Sequence, residues 1–371
     1  MLIQNAKAFI DGKFQEKTDL LIRDGRISAI GTGLAAEGEE LLDLGGDLLL
    51  PGFVDVHIHA FKGMDAMQGE EAVRHMSREL KKVGVAAFLP TTMSASPEDT
   101  VRALAGVKAV MERPEPDGAI VLGAHMEAPF LADAKAGAQL KQYFADPNEE
   151  NWQRYTGGLE SVVRLITMAP ERAGALAFIS ALTKKGITVS IGHTTADAET
   201  THAAAEAGAT HVTHTFNAQT PLNHRAPGVP GAALVDDRLQ CEVISDGIHL
   251  HPDIVKLIIR TKGKEKLVAI TDAMEAAGMP DGQYQLGGQE VFVHEGAARL
   301  KDGTLAGSTL TMVRAFQNLM RFGATPEEAA LMTTKTPALS IGNEELGEIE
   351  LGAPAIFSRF DENYAFKGTV G

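Results

Sequence analysis

The sequence has little cysteine, few positive charges relative to negative ones, and no long apolar run. One cysteine, Cys241, occurs in 371 residues, which excludes an intramolecular disulfide and fits a reducing cytosol. No uncharged apolar run reaches the roughly 18 residues that span a bilayer, and the N-terminus lacks the apolar core of a signal peptide. We therefore expect a cytoplasmic protein.

The charge balance narrows the class of partner. Lysine and arginine total 34 against 49 aspartate and glutamate residues, so the formal net charge is −15. Such a surface repels phosphate backbones and anionic lipids, which disfavours binding to nucleic acid or to membranes. A small anionic molecule remains compatible with this charge, because its site needs only a few local donors.

The middle of the chain alternates between short apolar runs and amphipathic helical patterns. Helices are predicted over 68–83 and over 97–111, the second with Ser96 as its N-cap. Strands separated by helices predict an α/β fold, a closed parallel (β/α)8 barrel of the TIM type, with a doubly wound open sheet as the alternative. The eight apolar runs cover residues 48–59, 85–92, 120–129, 165–171, 188–193, 211–217, 241–246 and 267–274.

The two ends of the chain have the pattern of short strands and turns. Asp24 and Gly25 stand between two alternating runs, which is a strong hairpin signal. Neither end can bury a core alone. We therefore expect residues 1–50 and 341–371 to pack as a small composite β-sandwich domain beside a barrel domain of residues 51–340. The stretch 283–300 predicts a hairpin inserted after the eighth strand.

Histidines and carboxylates fall at the ends of the predicted barrel strands. The C-terminal ends of barrel strands open onto one face, so we expect these side chains to converge there. A single H-x-H sequence occurs by chance, but a chance set would not prefer strand ends. Imidazole and carboxylate suit Zn²⁺ or Fe²⁺. The residues are His57 and His59 on the first run, Glu127 on the third, His193 on the fifth, His214 on the sixth and Asp272 on the eighth.

Several segments together resemble a known family. The segment 51–59, PGFVDVHIH, is similar to the first-strand signature of the amidohydrolase superfamily. The order and spacing of the others resemble the N-acetylglucosamine-6-phosphate deacetylase family, over about residues 1–360. These segments are 127–130 (EAPF), 192–194 (GHT), 214–218 (HTFNA), 224–228 (HRAPG), 246–249 (DGIH), 271–274 (TDAM) and 305–308 (LAGS).

The resemblance implies a metal-dependent hydrolase with one or two divalent ions per subunit. Glu127, His193 and His214 match the family's main metal site, and the retained pair His57 and His59 implies a possible second ion. Zinc is the expected metal, with iron, manganese, cobalt and nickel as alternatives. The implied reaction converts N-acetylglucosamine-6-phosphate to glucosamine-6-phosphate and acetate, as part of amino-sugar catabolism.

The resemblance also implies roles for residues around the metals. Asp272 would be the general base, and His249 would stabilise the developing oxyanion or bind a sugar hydroxyl. Asn217 and the backbone N–H of Ala218 would hold the substrate. Arg225 matches the family's phosphate-binding arginine, which reaches in from the partner subunit, so a homodimer is implied.

This chain departs from the family pattern around the substrate. Gln139 stands where the family has a histidine that assists phosphate binding, and Ala128, Gln219 and Ala226 are further departures. The alternative substrates are therefore N-acetylgalactosamine-6-phosphate or an unphosphorylated N-acyl amino sugar. A cyclic-amide hydrolase or deaminase, and a non-catalytic metal-binding sugar sensor, are more distant alternatives.

Overall fold

The computed structural model describes residues 1–36 and 38–371, and within these ranges the chain is a barrel of strands and helices with an additional sheet. The strands are β1 (Leu2–Ile10), β2 (Lys13–Arg23), β3 (Arg26–Gly31), β4 (Leu41–Asp43), β5 (Leu48–Pro51), β6 (Phe53–Ile58), β7 (Ala60–Phe61), β8 (Met64–Asp65), β9 (Val85–Thr92), β10 (Ile120–Val121), β11 (Ala124–Met126), β12 (Val163–Met168), β13 (Thr188–Ile191), β14 (His211–Val212), β15 (Gln240–Ile244), β16 (Leu267–Ile270), β17 (Gly282–Leu286), β18 (Gln289–His294), β19 (Ala297–Arg299), β20 (Phe357–Phe360) and β21 (Phe366–Val370).

The helices cover the outside of the barrel and fill most of the connections between its strands. Helix α2 begins as predicted: Ser96 Oγ accepts the Asp99 N–H at 3.1 Å, and Pro97 occupies the first turn. The helices are α1 (Glu70–Lys82), α2 (Pro97–Glu112), α3 (Glu149–Thr156), α4 (Ala175–Lys184), α5 (Ala198–Ala207), α6 (Gly228–Val235), α7 (Pro252–Lys266), α8 (Met312–Arg321), α9 (Pro326–Thr333) and α10 (Lys335–Ser340).

Parallel strands form the nearly closed barrel that the sequence predicts. The order around the barrel is β6, β9, β11, β12, β13, β14, β15 and β16, with the short β10 extending the third strand beside β9. The Asp272 N–H donates to the His57 carbonyl at 2.8 Å and links the last barrel strand to the first. The strands are buried almost throughout, because helices cover the outer face and side chains fill the interior. The open-sheet alternative is thereby excluded.

The two ends of the chain pack together as expected, and their strands form one seven-stranded sheet where a sandwich was predicted. Its order is β21-β20-β5-β1-β2-β3, and β4 pairs with β1. Asp24 and Gly25 join β2 to β3 with φ angles of 51° and 70°, which is the left-handed backbone of a tight hairpin turn. A separate core cluster that includes Ile3, Leu49 and Phe357 lies on this sheet. The domain boundaries at residues 50 and 341 stay a prediction.

The segment after the eighth barrel strand is a three-stranded meander, not the single hairpin predicted. β17 pairs antiparallel with β18, and β18 pairs antiparallel with β19. Two Gly-containing turns, at 287–288 and 295–296, reverse the chain twice, and only one reversal was assigned from the sequence. In the described ranges, none of the helices has the length and apolar character that crossing a membrane requires.

Candidate active site

The potential metal ligands other than His57, which is within β6, lie just beyond the barrel strands. His59 and Glu127 each follow a strand by one residue, and His193, His214 and Asp272 follow theirs by two. The last three have φ angles of 47°, 29° and 49°. These angles lie in the left-handed region, which residues other than glycine rarely adopt. The predicted strands 188–193, 211–217 and 267–274 were therefore too long, because each strand ends where the backbone turns its ligand inward.

Three of these ligands form one compact group. Glu127 Oε1 lies 3.0 Å from His193 Nε2 and 3.0 Å from His214 Nε2, and the two ring nitrogens are 3.1 Å apart. All three side chains are buried. The sequence analysis predicted that these residues converge from three strand ends, and the structure places their donor atoms within reach of one ion.

The H-x-H pair forms a second group that shares Glu127. His57 Nε2 and His59 Nε2 are 3.3 Å apart, so both rings turn to the same side as their spacing predicts. His59 Nε2 lies 3.2 Å from Glu127 Oε2 and 3.1 Å from Asp272 Oδ1. Glu127 Oε1, which faces His193 and His214, also lies 3.6 Å from His57 Nε2, so the carboxylate is shared by both groups. Asp272 completes the ring of donors.

Hydrogen bonds on the far side of the rings orient three of the four histidines, and His214 Nδ1 is buried without such a partner. Nδ1 of His193 donates to the Lys135 carbonyl at 2.7 Å, and Nδ1 of His59 donates to the Thr91 carbonyl at 3.2 Å. Nδ1 of His57 lies 3.0 Å from a Glu242 carboxylate oxygen. Because these partners accept, each Nδ1 carries a proton and Nε2 is the nitrogen that faces the centre, where a metal can bind it once any proton on Nε2 has left.

The electrostatics of the centre fit a cation. Burial lowers the pKa of His59, but Asp272 and Glu127 raise it to about 9. For Asp272, burial acts in the opposite direction and raises the pKa, but His57 and His59 bring that pKa below its ordinary value. In the metal-free centre, protonated imidazoles therefore pair with buried carboxylates. A divalent ion bound by the same nitrogen and oxygen atoms could replace the protons of these imidazoles. The donor set fits Zn²⁺ or a similar divalent metal.

His249 is held rigidly beside this centre. Its Nδ1 lies 2.7 Å from Asp246 Oδ2, and Asp246 Oδ1 accepts the backbone N–H groups of Ile248 and His249 at 2.8 Å each. Burial lowers the pKa of His249, but the Asp246 carboxylate raises it above its ordinary value. The Nδ1 contact leaves Nε2 as the nitrogen that can contact a ligand.

A cavity of about 290 Å³ opens above the centre. Asn217 and Ala218 line it next to His214, and Asn217 Nδ2 donates to the His214 carbonyl at 3.2 Å. Leu286 of the meander closes one side. The other lining residues are His59, Met93, Glu127, Ala134, Lys135, Gly137, Ala138, Gln139, His193, His249, Asp272, Thr304, Leu305 and Gly307.

Two residues predicted to bind substrate lie in different settings. Gln139 is buried at the cavity wall, where its Nε2 donates to Glu127 Oε2 at 2.6 Å and its Oε1 accepts the Ser94 N–H at 2.7 Å. Arg225 is exposed on the loop before α6 and does not line the cavity of its own chain. The role predicted for Arg225 from a partner subunit stays a prediction.

Glu242 was missed in the sequence. It lies in the middle of β15, fully buried, and contacts His57 Nδ1 at 3.0 Å and the His214 N–H at 3.2 Å. A signal was present, because a carboxylate inside the apolar run 241–246 is costly to bury without a partner. The same argument holds for Glu127 in the apolar run 120–129.

The fold and the centre define a barrel hydrolase of the metal-dependent type. A sequence model described as "Amidohydrolase family" matches residues 48–368, and the chain belongs to the amidohydrolase family. It is a hydrolase of carbon–nitrogen bonds.

Full-length relatives are more specific. The chain is 36% identical to an N-acetylglucosamine-6-phosphate deacetylase of Lysinibacillus sphaericus, covering 100% of this chain and 96% of the relative. It is 37% identical to an N-acetylgalactosamine-6-phosphate deacetylase of Escherichia coli O157:H7, covering 91% and 88%. A solved N-acetyl-D-glucosamine-6-phosphate deacetylase of Mycobacterium smegmatis, an aspartate-to-alanine variant in complex with N-acetyl-D-glucosamine-6-phosphate, superposes with a TM-score of 0.92 at 32% identity, covering 100% and 97%.

Proposed function

We propose that this protein hydrolyses N-acetylglucosamine-6-phosphate to glucosamine-6-phosphate and acetate in a metal-dependent reaction. The observation that carries the proposal is that Asp272 and His249 line the same cavity as Glu127, His193 and His214. A carboxylate base, an imidazole donor and a set of metal ligands around one cavity are the groups that amide hydrolysis requires. The full-length relatives support the choice of substrate.

The metal ligands are proposed from the two groups of donors. Glu127, His193 and His214 would hold one divalent ion, and His57 and His59 with Glu127 would hold a second. Zinc is the proposed metal, and iron, manganese, cobalt and nickel accept the same ligands. A bound ion supplies Lewis acidity, which makes a water nucleophilic at neutral pH and polarises the acetyl carbonyl.

Asp272 and His249 have the proton-transfer and oxyanion roles in this proposal. Asp272 is ionised at neutral pH, because His57 and His59 lower its pKa against the effect of burial. Its carboxylate takes a proton from the attacking water and delivers it to the amine nitrogen as the C–N bond breaks. His249, oriented by Asp246, donates from Nε2 to the carbonyl oxygen or to a sugar hydroxyl.

The substrate is proposed to be held by neighbouring loops and by a second subunit. Asn217 and the Ala218 N–H would contact the acetamido group or the sugar. Lys135 is the only lining residue with a permanent positive charge among those described, so the cavity of one chain offers little to a dianionic phosphate. Arg225 from the partner in a homodimer would supply the planar fork that a phosphate favours.

The galactosamine epimer is the second candidate substrate. The observation in its favour is the 37% identity to an N-acetylgalactosamine-6-phosphate deacetylase, which lies between the 36% and 38% identities to two bacterial N-acetylglucosamine-6-phosphate deacetylases. A non-catalytic sugar sensor is disfavoured because Asp272 is present beside the metal ligands.

Acetate release tests the proposal directly. We would assay zinc-loaded protein on N-acetylglucosamine-6-phosphate, its galactosamine epimer and unphosphorylated N-acetylglucosamine, with chelator-stripped protein as control. Fast, metal-dependent release from the glucosamine phosphate is the expected result. A higher kcat/KM for one of the other two sugars would make that sugar the preferred substrate. No acetate release from any of the three sugars would contradict the proposed reaction.

A further inference from the structure

A buried carboxylate outside the cavity contacts both groups of metal ligands. Glu242 Oε2 lies 3.0 Å from His57 Nδ1, in the H-x-H group, and 3.2 Å from the backbone N–H of His214, in the other group. Glu242 is on β15 and His57 on β6, and β16 lies between these strands in the barrel. The contact therefore crosses the barrel interior and does not follow from neighbouring strands pairing.

The contact determines which nitrogen of His57 faces the centre. A carboxylate accepts hydrogen bonds, so Nδ1 donates to Glu242 and Nε2 is the nitrogen left to bind a metal. His57 Nε2 is the atom that lies 3.3 Å from His59 Nε2 and 3.6 Å from Asp272 Oδ1. Without Glu242, the other tautomer and other ring rotations become available to His57, and its Nε2 is no longer preset for a metal.

Glu242 also adds a negative charge next to His57, one of the ligands proposed for the second ion. A pair of divalent ions would bring a large positive charge to a buried centre whose facing carboxylates are Glu127 and Asp272. Buried charge is costly unless it is matched nearby. The neighbouring His211 does not offset the Glu242 charge, because burial lowers the pKa of His211 to about 4 and the ring is neutral.

We infer that Glu242 is a positioning residue that gives the second metal site, formed by His57, His59 and Glu127, its affinity. The inference rests on the proposed metal-dependent function, but it concerns how many ions bind and not which amide is cleaved. The competing explanation is a structural one, in which the Glu242–His57 pair only holds β6 against β15.

Metal titration of chelator-stripped protein separates these explanations. Co²⁺ would be titrated into wild type, Glu242→Gln, Glu242→Asp and Asp55→Asn, with calorimetry, the cobalt absorption spectrum and bound metal per chain as readouts. Asp55 is the matched control: it is buried on the same strand as His57 and accepts hydrogen bonds from the Thr271 hydroxyl and from the backbone N–H groups of Thr271 and His57, but from no imidazole.

We expect wild type to bind about two ions per chain, and Glu242→Gln to bind the second about 10–100-fold more weakly while the first is unchanged within about threefold. Glu242→Asp, which keeps the charge, should recover part of the loss, and Asp55→Asn should match wild type. Melting of the metal-free proteins reports folding. If Glu242→Gln does not fold, Glu242→Asp against Asp55→Asn gives the same comparison.

Several results would overturn the inference. These are a second-ion affinity in Glu242→Gln equal to that of wild type, an equal loss for both ions, an equal loss in Asp55→Asn, or a single ion in the wild type. Failure of the proposed function looks different. In that case the wild type binds a second ion in a Glu242-dependent manner and yet releases no acetate from any N-acetyl sugar. That result would contradict the proposed function but not the role of Glu242.

Discussion

Gln139 donates a hydrogen bond to Glu127, the carboxylate shared by both groups of proposed metal ligands, with Nε2 2.6 Å from Oε2. The orientation of the amide is fixed, because its Oε1 accepts the Ser94 N–H at 2.7 Å and an N–H can only donate. A hydrogen bond to a carboxylate is charge-assisted and holds that carboxylate in one position. Nε2 also donates to Met93 Sδ at 3.5 Å, so Gln139 has used its acceptor and both donors within the protein, at a position where the family resemblance implied a contact with phosphate.

Replacing Gln139 distinguishes these two roles. We predict that Gln139→Leu weakens metal binding about tenfold, because Glu127 loses a partner that orients it. The KM for the phosphorylated sugar should change much less when metal is saturating. Gln289→Leu is the control, since Gln289 contacts the same loop through the Ala138 carbonyl but not Glu127. A large rise in KM with normal metal affinity would restore the phosphate role of Gln139.

The barrel was predictable from the sequence because its strands and helices are local patterns. The alternation of apolar runs predicted every barrel strand, and the Ser96 cap predicted the start of α2. The strand ends were wrong where the backbone turns. At His193, His214 and Asp272 the backbone has left-handed φ angles. Histidine and aspartate adopt such angles more often than most residues, but still too rarely for the sequence to predict them at these positions.

The site was predictable to the extent that its residues share strand ends. The positions of the potential ligands at the ends of barrel strands were enough to predict that they converge. The side chains that hydrogen-bond to these ligands were identified only from the structure. Glu242 and His57 are 185 residues apart, and no pattern in the sequence links them. The same holds for Gln139, whose contact with Glu127 depends on the path of an irregular loop, and loops follow no periodic pattern.

Asp272→Asn tests the proton-transfer role. The amide keeps the size of the side chain but cannot accept a proton, so turnover should fall by about 10²–10⁴-fold. Metal at Glu127, His193 and His214 should be retained, because Asp272 is not a member of that group. Bound metal and kcat would be measured on the same preparation. Near-normal turnover with full metal content would remove Asp272 as the base.

Arg225→Ala tests phosphate binding across a dimer. The exposed guanidinium has no place in the cavity of its own chain, so its loss should raise KM for a phosphorylated sugar and leave an unphosphorylated one unaffected. The expected rise is about 10-fold or more, the scale of a charge-assisted contact. Arg260→Ala, on the exposed side of α7, is the control for a lost surface charge.

Mixing subunits makes the Arg225 test sharper. An Arg225→Ala chain and an Asp272→Asn chain are each impaired, but a mixed dimer would pair one intact cavity with one intact arginine. Recovery of activity on mixing is the expected result if Arg225 acts across subunits. Failure to recover activity, or a monomer by light scattering, would contradict the shared site.

Protons should compete with metal at His59. Burial lowers its pKa, but Asp272 and Glu127 raise it to about 9 in the metal-free protein, against about 6.5 in an unfolded chain. The ion pairs therefore stabilise the metal-free fold fully below about pH 6.5, and this stability is lost as the pH rises through about 9. Metal binding must displace the proton, so the stabilisation that metal provides should grow over the same interval.

Thermal melting at fixed free zinc, set by a chelator buffer, measures this competition. Between pH 6.5 and pH 9 the Tm of the metal-free protein should fall, and the rise in Tm caused by zinc should increase. In His59→Asn both trends should weaken, because the proton that zinc displaces is gone. His251→Asn, which changes an exposed histidine at the start of α7, should behave as wild type. A zinc-induced rise in Tm that is the same at both pH values would show that His59 holds no displaceable proton.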